Sequence, residues 1–505
     1  MKKIFLIISA FFILTACQTF APRVPTQDTT PPESQKQNTD TTTDTKIDFD
    51  FVHTKQNCKV AISTSADSTE QKIFHKKTFC LNTNGADIKE AADLSGMVTI
   101  ALDQLSTALV DPKNSKVSVA YFSFSNKAIQ KKICELSSKG ASIQVILDTG
   151  SGPKNGLPGQ IDDLVMNSPD CLDENKKLNV TLSYLGGNTK IEPGKIWQLH
   201  HNKFLMIETP NNKVKLNFSS GNLSTFGTSL HLDHWVMINA PASTNIIRAH
   251  KCVMQGLESA VSKSKEDGST SKAIGQSYIT EREKCFDDTN VLPRQSLSTN
   301  LDEMNSQISK MLDAEEIAPL YSPNNNQYVE KTFIDALSKV PADGYIYIAI
   351  QHFLHPGVSR ALTKAAERGV DVRVVMDDDA LRGESDVPGV DVLIKKLVLV
   401  KGIQIRFAET NKLAGGGGAL MHNKFAILNG AMTFSGAGHY TNAAMNVNWE
   451  NFYFSKNKIV LSGYANYFNE LWNESVDFNY TLSKGAEKSL EPQILSEAFL
   501  KQFEK

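Results

Sequence analysis

Two separated stretches of this 505-residue chain follow one plan. In the first, residues 116–124 (KVSVAYFSF) read as a strand and a helical pattern runs on through Ser138. Lys139-Gly140 end the helix, and 142–147 (SIQVIL) form an apolar strand that stops at Asp148. In the second, 345–353 (YIYIAIQHF) is the strand, 358–368 the helix, Gly369 its C-cap, and 370–376 the strand that stops at Asp377. Helix, glycine, then a buried strand is the signature of a βαβ unit in a parallel or mixed sheet. Each unit continues with another short strand (180–185; 403–407), a variable loop and a strand bearing histidine. The repeat is therefore a whole α/β subdomain. The expected fold is two such subdomains, mixed sheets flanked by helices, packed with pseudo-two-fold symmetry around one site.

The histidine strands carry the chemistry. The first copy reads His201-Asn202-Lys203-Phe204-Leu205-Met206-Ile207-Glu208, then Asn217-Phe218-Ser219-Ser220-Gly221-Asn222. The second reads His422-Asn423-Lys424-Phe425-Ala426-Ile427-Leu428-Asn429, then Ser435-Gly436-Ala437-Gly438-His439. Positions i and i+2 of a strand share a face, so each His projects beside its Lys. Such a pair suits attack on a phosphodiester. The ammonium holds the non-bridging oxygens, and the imidazole attacks phosphorus or protonates the leaving oxygen. A single His-x-Lys is common by chance; two at equivalent points of a repeat, each followed by a Ser/Gly/Asn turn, are not.

These motifs resemble those of the phospholipase D superfamily, in which H-x-K-x4-D-x6-G-S-x-N occurs twice per active site. The resemblance covers roughly residues 90–480. It implies a phosphodiesterase without metal or other cofactor that works through a phosphohistidine. One His attacks phosphorus, the other protonates the departing alcohol, and water or a second alcohol then releases the phosphoryl group. By the family's usual order His201 is the nucleophile and His422 the general acid, although the sequence alone allows the reverse. The resemblance also implies that Lys203 and Lys424 bind phosphate oxygens, together with Ser220 and Asn222. In the family an acidic residue beyond the turn orients a catalytic His; Glu450 takes that place in the second half and Asp233 in the first. A carboxylate on the far ring nitrogen fixes the tautomer and stabilises the imidazolium.

The chain also departs from the pattern. The motif Asp is Glu208 in the first copy and Asn429 in the second, and the first spacer is longer, with a hairpin turn expected around Asn211-Asn212. The second turn has Ala437 for Ser and His439 for Asn. Activity is still expected, slower or with a narrower substrate range. Two readings of His439 stand: a phosphate donor in place of Asn, or a structural residue. His200 points to the opposite strand face from His201 and reads as structural. Asp377-Asp378-Asp379 reads as a strand-end acidic turn rather than a metal site. The glycines at 415–418 read as a mobile rim, since no Gly-Lys-Ser/Thr follows them.

The N-terminus points to export. Lys2-Lys3, an apolar run over 4–14 and Leu14-Thr15-Ala16-Cys17 resemble a bacterial lipoprotein signal, with Cys17 the expected lipidated residue. The run is too short for a bilayer span of ~20 residues. Acyl chains, at roughly 0.8 kcal/mol per buried methylene, would hold the protein on a membrane of the cell envelope. The expected organisation is a signal (1–16), a disordered tether rich in Thr, Pro, Gln and Asp (17–48), a Cys-containing extension (49–86), repeat one (87–300), repeat two (301–482) and a tail (483–505). Besides Cys17 there are six cysteines, an even count that in an exported chain suggests disulfides. Neighbour pairing (58–80, 134–171, 252–285) is the simplest of the fifteen connectivities.

The formal net charge is −2, without the basic excess of a nonspecific nucleic-acid binder. A membrane-anchored, monomeric hydrolase of phospholipids is therefore the first expectation. A metal-independent nuclease of the same superfamily is the second, with Lys190, Lys195 and Lys412 near the motifs as its local support. Cardiolipin-synthase-type transfer is disfavoured, because those enzymes carry N-terminal membrane helices. A weakened, phosphate-binding envelope protein rests only on Ala437 and His439.

Overall fold

The computed structural model describes residues 46–54, 96–151, 161, 164–165, 168–186, 198–229, 231–289, 300–377, 390–408 and 420–477, all within one compact unit. Cys17, Cys58, Cys80, Lys190, Lys195, Asp378, Asp379, Lys412, the glycines at 415–418 and the tail lie outside the described residues.

Seven strands build the first sheet: β1 Asp48–His53, β2 Lys116–Tyr121, β3 Ser142–Asp148, β4 Val180–Leu185, β5 Lys203–Glu208, β6 Lys213–Ser219 and β7 His234–Pro241. The second half contributes β8 Ile317–Ser322, β9 Tyr345–Ile350, β10 Phe353–Leu354, β11 Asp371–Asp377, β12 Ile403–Ala408, β13 Lys424–Leu428, β14 Met432–Gly436, β15 Tyr440–Thr441, β16 Glu450–Ser455 and β17 Val476–Asp477. All of these but the β10–β15 pair form its eight-stranded sheet. The spatial order β4-β3-β2-β5-β6-β7-β1 of the first sheet recurs as β12-β11-β9-β13-β14-β16-β8 in the second, which adds β17 at its edge. Pairing is parallel among β2, β3 and β4, and among β9, β11 and β12, where helices make the crossovers. The expected pair of mixed α/β subdomains is thus the fold observed.

The first crossover helix of each half starts on a local cap. Asn126 Oδ1 accepts the Ile129 N–H (3.1 Å) at the head of helix Lys127–Ser138. His355 Nδ1 accepts the Val358 N–H (3.3 Å) at the head of helix Pro356–Glu367, with Pro356 in the first turn.

Two features differ from the sequence expectation: the extent of the strands, with the run 116–124 a strand only as far as Tyr121, and a strand not foreseen. The run 345–353 is not one strand: β9 ends at Ile350, Gln351 extends its ladder with β13 by one bond to Asn423 O (3.1 Å), and the chain then leaves the sheet before β10. The second difference is β1, which pairs antiparallel with β7 from Asp48 against Asn239 to His53 against His234. It holds in the first sheet the place that β8 holds in the second. The repeat therefore begins upstream of residue 87. Phe49 supplies the reason, since it buries in the core while Asp50 beside it stays exposed.

One apolar core spans both halves. Phe204, Met206 and Phe218 of the first sheet belong to it together with Ile348, Phe425 and Phe452 of the second, and Phe218 stacks on Tyr453 with ring centroids 3.6 Å apart. Each such side chain contributes about 2 kcal/mol by burial, so separating the halves would expose a large apolar face. A further core on the other side of the first sheet joins Val117, Val119 and Leu205 to Ile133 and Leu136 of helix Lys127–Ser138.

Cys134 pairs with Cys171 and Cys252 with Cys285, at Cα–Cα distances of 4.1 and 5.4 Å, as neighbour pairing anticipates. They close segments of 37 and 33 residues. In the chain-entropy account each contributes up to about 4 kcal/mol. Replacing Cys252 and Cys285 together by Ala is expected to lower the stability measured by urea unfolding by about 2–4 kcal/mol. Among the described residues no helix is long and apolar enough to cross a membrane.

Candidate active site

The positions of both motif histidines are set by backbone. Asp148, the last residue of β3, accepts the N–H groups of Gly150 (2.7 Å) and His200 (2.8 Å). Asp377, the last residue of β11, accepts the N–H of Met421 (2.5 Å). Each repeat therefore ends its second strand with a carboxylate that pins the residue just before its motif His. Burial pushes Asp148 up to about 7, against the pull of those N–H groups and of Lys203.

From these pins the chain runs into a ladder between the halves. His201 N–H donates to Trp449 O and Trp449 N–H to Leu199 O, both at 2.9 Å. In the counterpart, His422 N–H donates to Leu232 O (3.1 Å) and Leu232 N–H to Leu420 O (2.8 Å). Since Glu450 follows Trp449 and Asp233 follows Leu232, the ladder delivers each acid to the histidine of the other half. His201 Nδ1 donates to Glu450 Oε2 (2.8 Å), and His422 Nδ1 to Asp233 Oδ1 (3.0 Å) and Oδ2 (3.2 Å). Asn448 Nδ2 steadies Glu450 Oε1 (3.2 Å), while its Oδ1 accepts the Leu199 N–H (3.0 Å).

The site is nearly closed. Each motif histidine keeps 7% of its residue surface exposed, whereas Lys203, Lys424, Glu450 and Asp233 keep none. Burial pushes Glu450 up to about 8, against Lys203 and Lys424, and raises Asp233, against Lys424. Burial and the nearby lysines hold His201 and His422 well below 6.5. Each His–carboxylate pair therefore titrates as a coupled unit. Lys203 Nζ donates to His201 Nε2 (2.8 Å) and to His201 O (3.2 Å), and burial pushes it down to about 7. Lys424 Nζ instead donates to His422 O and to Ser220 O (3.4 Å). The halves are therefore unequal at the reacting nitrogens.

Ser220 has a task other than the expected hold on phosphate. Its hydroxyl donates to Asp233 Oδ1 (2.6 Å) and accepts the His234 N–H (3.1 Å), so it positions the carboxylate that orients His422. Asn222 sits in the turn with its Oδ1 buried and, among the described residues, without a hydrogen-bond partner. The departures Glu208 and Asn429 lie at the far ends of β5 and β13, about 23 Å along the strand from the histidines at ~3.3 Å per residue. There Glu208 pairs with Lys251 (2.6 Å), and Asn429-Gly430, with φ of 52° and 64°, makes a hairpin turn. Gly436 is obligatory for a different reason: a Cβ there would lie 2.2 Å from Asn451 O.

Three further histidines surround the centre. His439, in the position of the motif Asn, is half-buried with ring centroid 5.4 Å from that of His201 and 5.7 Å from that of His422. His352, brought in just beyond β9, lies with its ring centroid 4.5 Å from that of His439, the two rings tilted by 50°. His231 lies 5.4 Å from His422, its Nδ1 3.9 Å from Asp233 Oδ2. Sequence reasoning singled out neither His352 nor His231, because neither has a counterpart in the other half.

His200 is fully buried. Burial pushes it down to about 3. The folded state thus refuses a proton that the unfolded chain takes below about 6.5, so this contribution is full above that pH and is lost as pH falls toward 3. His200→Leu is expected to lose about 2 kcal/mol less than the parent between pH 8 and 5, read by urea unfolding at each pH.

Comparison with known proteins agrees with this geometry. A family described as "Cardiolipin synthase, PLD-like domain" matches residues 105–251 and 334–472, more than half of the chain. A mitochondrial cardiolipin hydrolase of Xenopus tropicalis is 26% identical over 122 residues, 24% of this chain and 51% of that protein. The chain thus spans about half the length of the curated relatives it matches. The phosphatidylserine synthase of Haemophilus influenzae superposes with a TM-score of 0.50 at 11% identity, over 80% of this chain and 89% of that one. NucT from Helicobacter pylori does so with a TM-score of 0.29 at 19% identity, over 32% of this chain and 98% of that one. With both matched stretches carrying a His-x-Lys, a turn and an acid, the chain belongs to the phospholipase D superfamily, through two domains of the cardiolipin synthase, phospholipase D-like family.

Proposed function

We propose that the protein hydrolyses phospholipids at the head-group ester through a phosphohistidine on His201, at the envelope membrane to which lipid on Cys17 holds it. The observation that carries the chemistry is the crossed pair of His–carboxylate dyads with unequal Nε2 atoms. His201 has its Nδ1 proton directed at Glu450 and an Nε2 lone pair that now accepts from Lys203. That is the tautomer of a nucleophile. A phosphate oxygen in the pocket takes over the Lys203 donor and frees the lone pair for phosphorus.

In the first step His201 Nε2 bonds to phosphorus, the P–O bond to the alcohol breaks, and His422 gives its Nε2 proton to the departing oxygen. Asp233 stabilises the imidazolium before that transfer, and Ser220 holds Asp233. In the second step water bonds to phosphorus, His422 takes its proton, and the N–P electrons return to His201. Lys203 and Lys424 neutralise the non-bridging oxygens in a site with little water, where such contacts are strong. The phospholipid class is supported by the names of the matching family and relative, both concerned with cardiolipin.

The test offers the protein vesicles of phosphatidylcholine, phosphatidylglycerol or cardiolipin and, separately, plasmid DNA, all in EDTA. Release of phosphatidic acid, or of phosphatidylglycerol from cardiolipin, is the expected result. Nicked DNA with intact lipid would replace the lipid by nucleic acid as substrate. No turnover of either, with phosphate binding unchanged in His201→Ala, would favour a binding protein.

A further inference from the structure

We propose that His231, Asp233 and His422 form an inhibitory site for a divalent transition-metal ion of the zinc type. His231 has no part in the hydrolysis described above, yet it lies beside the acid dyad. One donor atom from each of the three residues falls within 4.8 Å of the others. Its Nδ1 is 3.9 Å from Asp233 Oδ2, while His422 Nδ1 is 3.0 Å from Asp233 Oδ1. Around Zn2+, with bonds of about 2.0–2.2 Å, tetrahedral donors sit roughly 3.4 Å apart, so the set closes on an ion with movements of about 1 Å.

Two imidazoles and one carboxylate suit zinc, cobalt or nickel. Mg2+ and Ca2+ favour all-oxygen sites. The carboxylate is already oriented from behind, by the Ser220 hydroxyl (2.6 Å), as ligating carboxylates generally are. His231 keeps 13% of its side chain exposed and His422 8%, which leaves a way in beside the opening. Three protein ligands would leave a position for water or for a phosphate oxygen. An ion there occupies the imidazole that must carry the leaving-group proton and draws Asp233 from its task. The inhibition rests on the hydrolase reading; the binding does not.

The experiment uses untagged full-length protein stripped with EDTA and dialysed. Co2+ is titrated by its visible d–d absorption, and hydrolysis of bis(p-nitrophenyl) phosphate is followed with and without Zn2+. The expected result is a saturable Co2+ signal at one equivalent, displaced by Zn2+ but not by Mg2+. It should weaken by about 100-fold in His231→Ala and His231→Gln, thermal melts serving to exclude misfolding. Zn2+ should inhibit the parent at concentrations about tenfold or more below those that inhibit either variant. Absence of a saturable Co2+ signal, or one unchanged in both variants, overturns the site. Binding without inhibition, or activity that appears only with metal, overturns the inhibitory role. Protein inert in EDTA that still gives the His231-dependent Co2+ signal would remove the hydrolase reading and keep the metal site.

Discussion

His201→Ala is expected to lower kcat on any phosphodiester by about 10⁴-fold or more, because no N–P bond can form without its Nε2. His422→Ala is expected to behave differently according to the leaving group. An alkyl alcohol needs the proton, so hydrolysis of a dialkyl phosphodiester should fall by about 10²–10⁴-fold. A p-nitrophenolate does not, so the first step survives while the second, which needs His422 as base, stalls. Rapid mixing should then show one equivalent of p-nitrophenol per active site, with a phosphorylated protein left behind. A burst in His201→Ala and none in His422→Ala would reverse the two roles.

The crossed acids predict a second large effect. Glu450→Gln and Asp233→Asn should each lower kcat by about 10²–10⁴-fold, the range for a carboxylate that fixes a catalytic tautomer. Their kinetic signatures should cross between the halves. Asp233→Asn, although in the first half, should reproduce the burst and stall of His422→Ala, because its partner is 3.0 Å away across the ladder. Glu450→Gln should reproduce the missing burst of His201→Ala, its partner being at 2.8 Å. The opposite assignment of phenotypes would mean that each acid serves its own half.

The same proton accounting fixes the form of the pH profile. Burial and the lysines hold His201 well below 6.5, so the acid limb of kcat/KM should lie below that value. The alkaline limb should appear where the proton shared by His422 and Asp233 is lost, above the ordinary carboxylate range because burial raises Asp233. A rate constant from acid through alkaline pH would contradict a division into nucleophile and acid.

The sequence made legible what repeats. Both βαβ units, the two His-x-Lys strands and the candidate acids Glu450 and Asp233 stood out because each has a counterpart at an equivalent place. What it left hidden comes from packing between the halves. Which acid meets which histidine depends on Trp449 pairing with 199–201 and Leu232 with 420–422, contacts between segments some two hundred or more positions apart. Ser220 was assigned to phosphate because the motif places a hydroxyl there, yet Asp233 and His234 engage it. His231 and His352 carry no signal in the sequence, being single loop residues with no histidine at the equivalent position of the other repeat. β1 was hidden by its surroundings, a six-residue strand between segments of quite different composition.

The ladder between the halves also bears on how the molecule fails. In many enzymes the active site loosens before the rest of the structure melts, because it is built on locally weak elements. Here the imidazoles are aligned by backbone bonds and carboxylates contributed by the opposite half, over a core that both halves share. Parting them removes alignment and burial together. Catalysis should therefore persist almost undiminished up to the unfolding transition and vanish along the same denaturant curve as tertiary structure, making turnover a direct meter of the folded fraction.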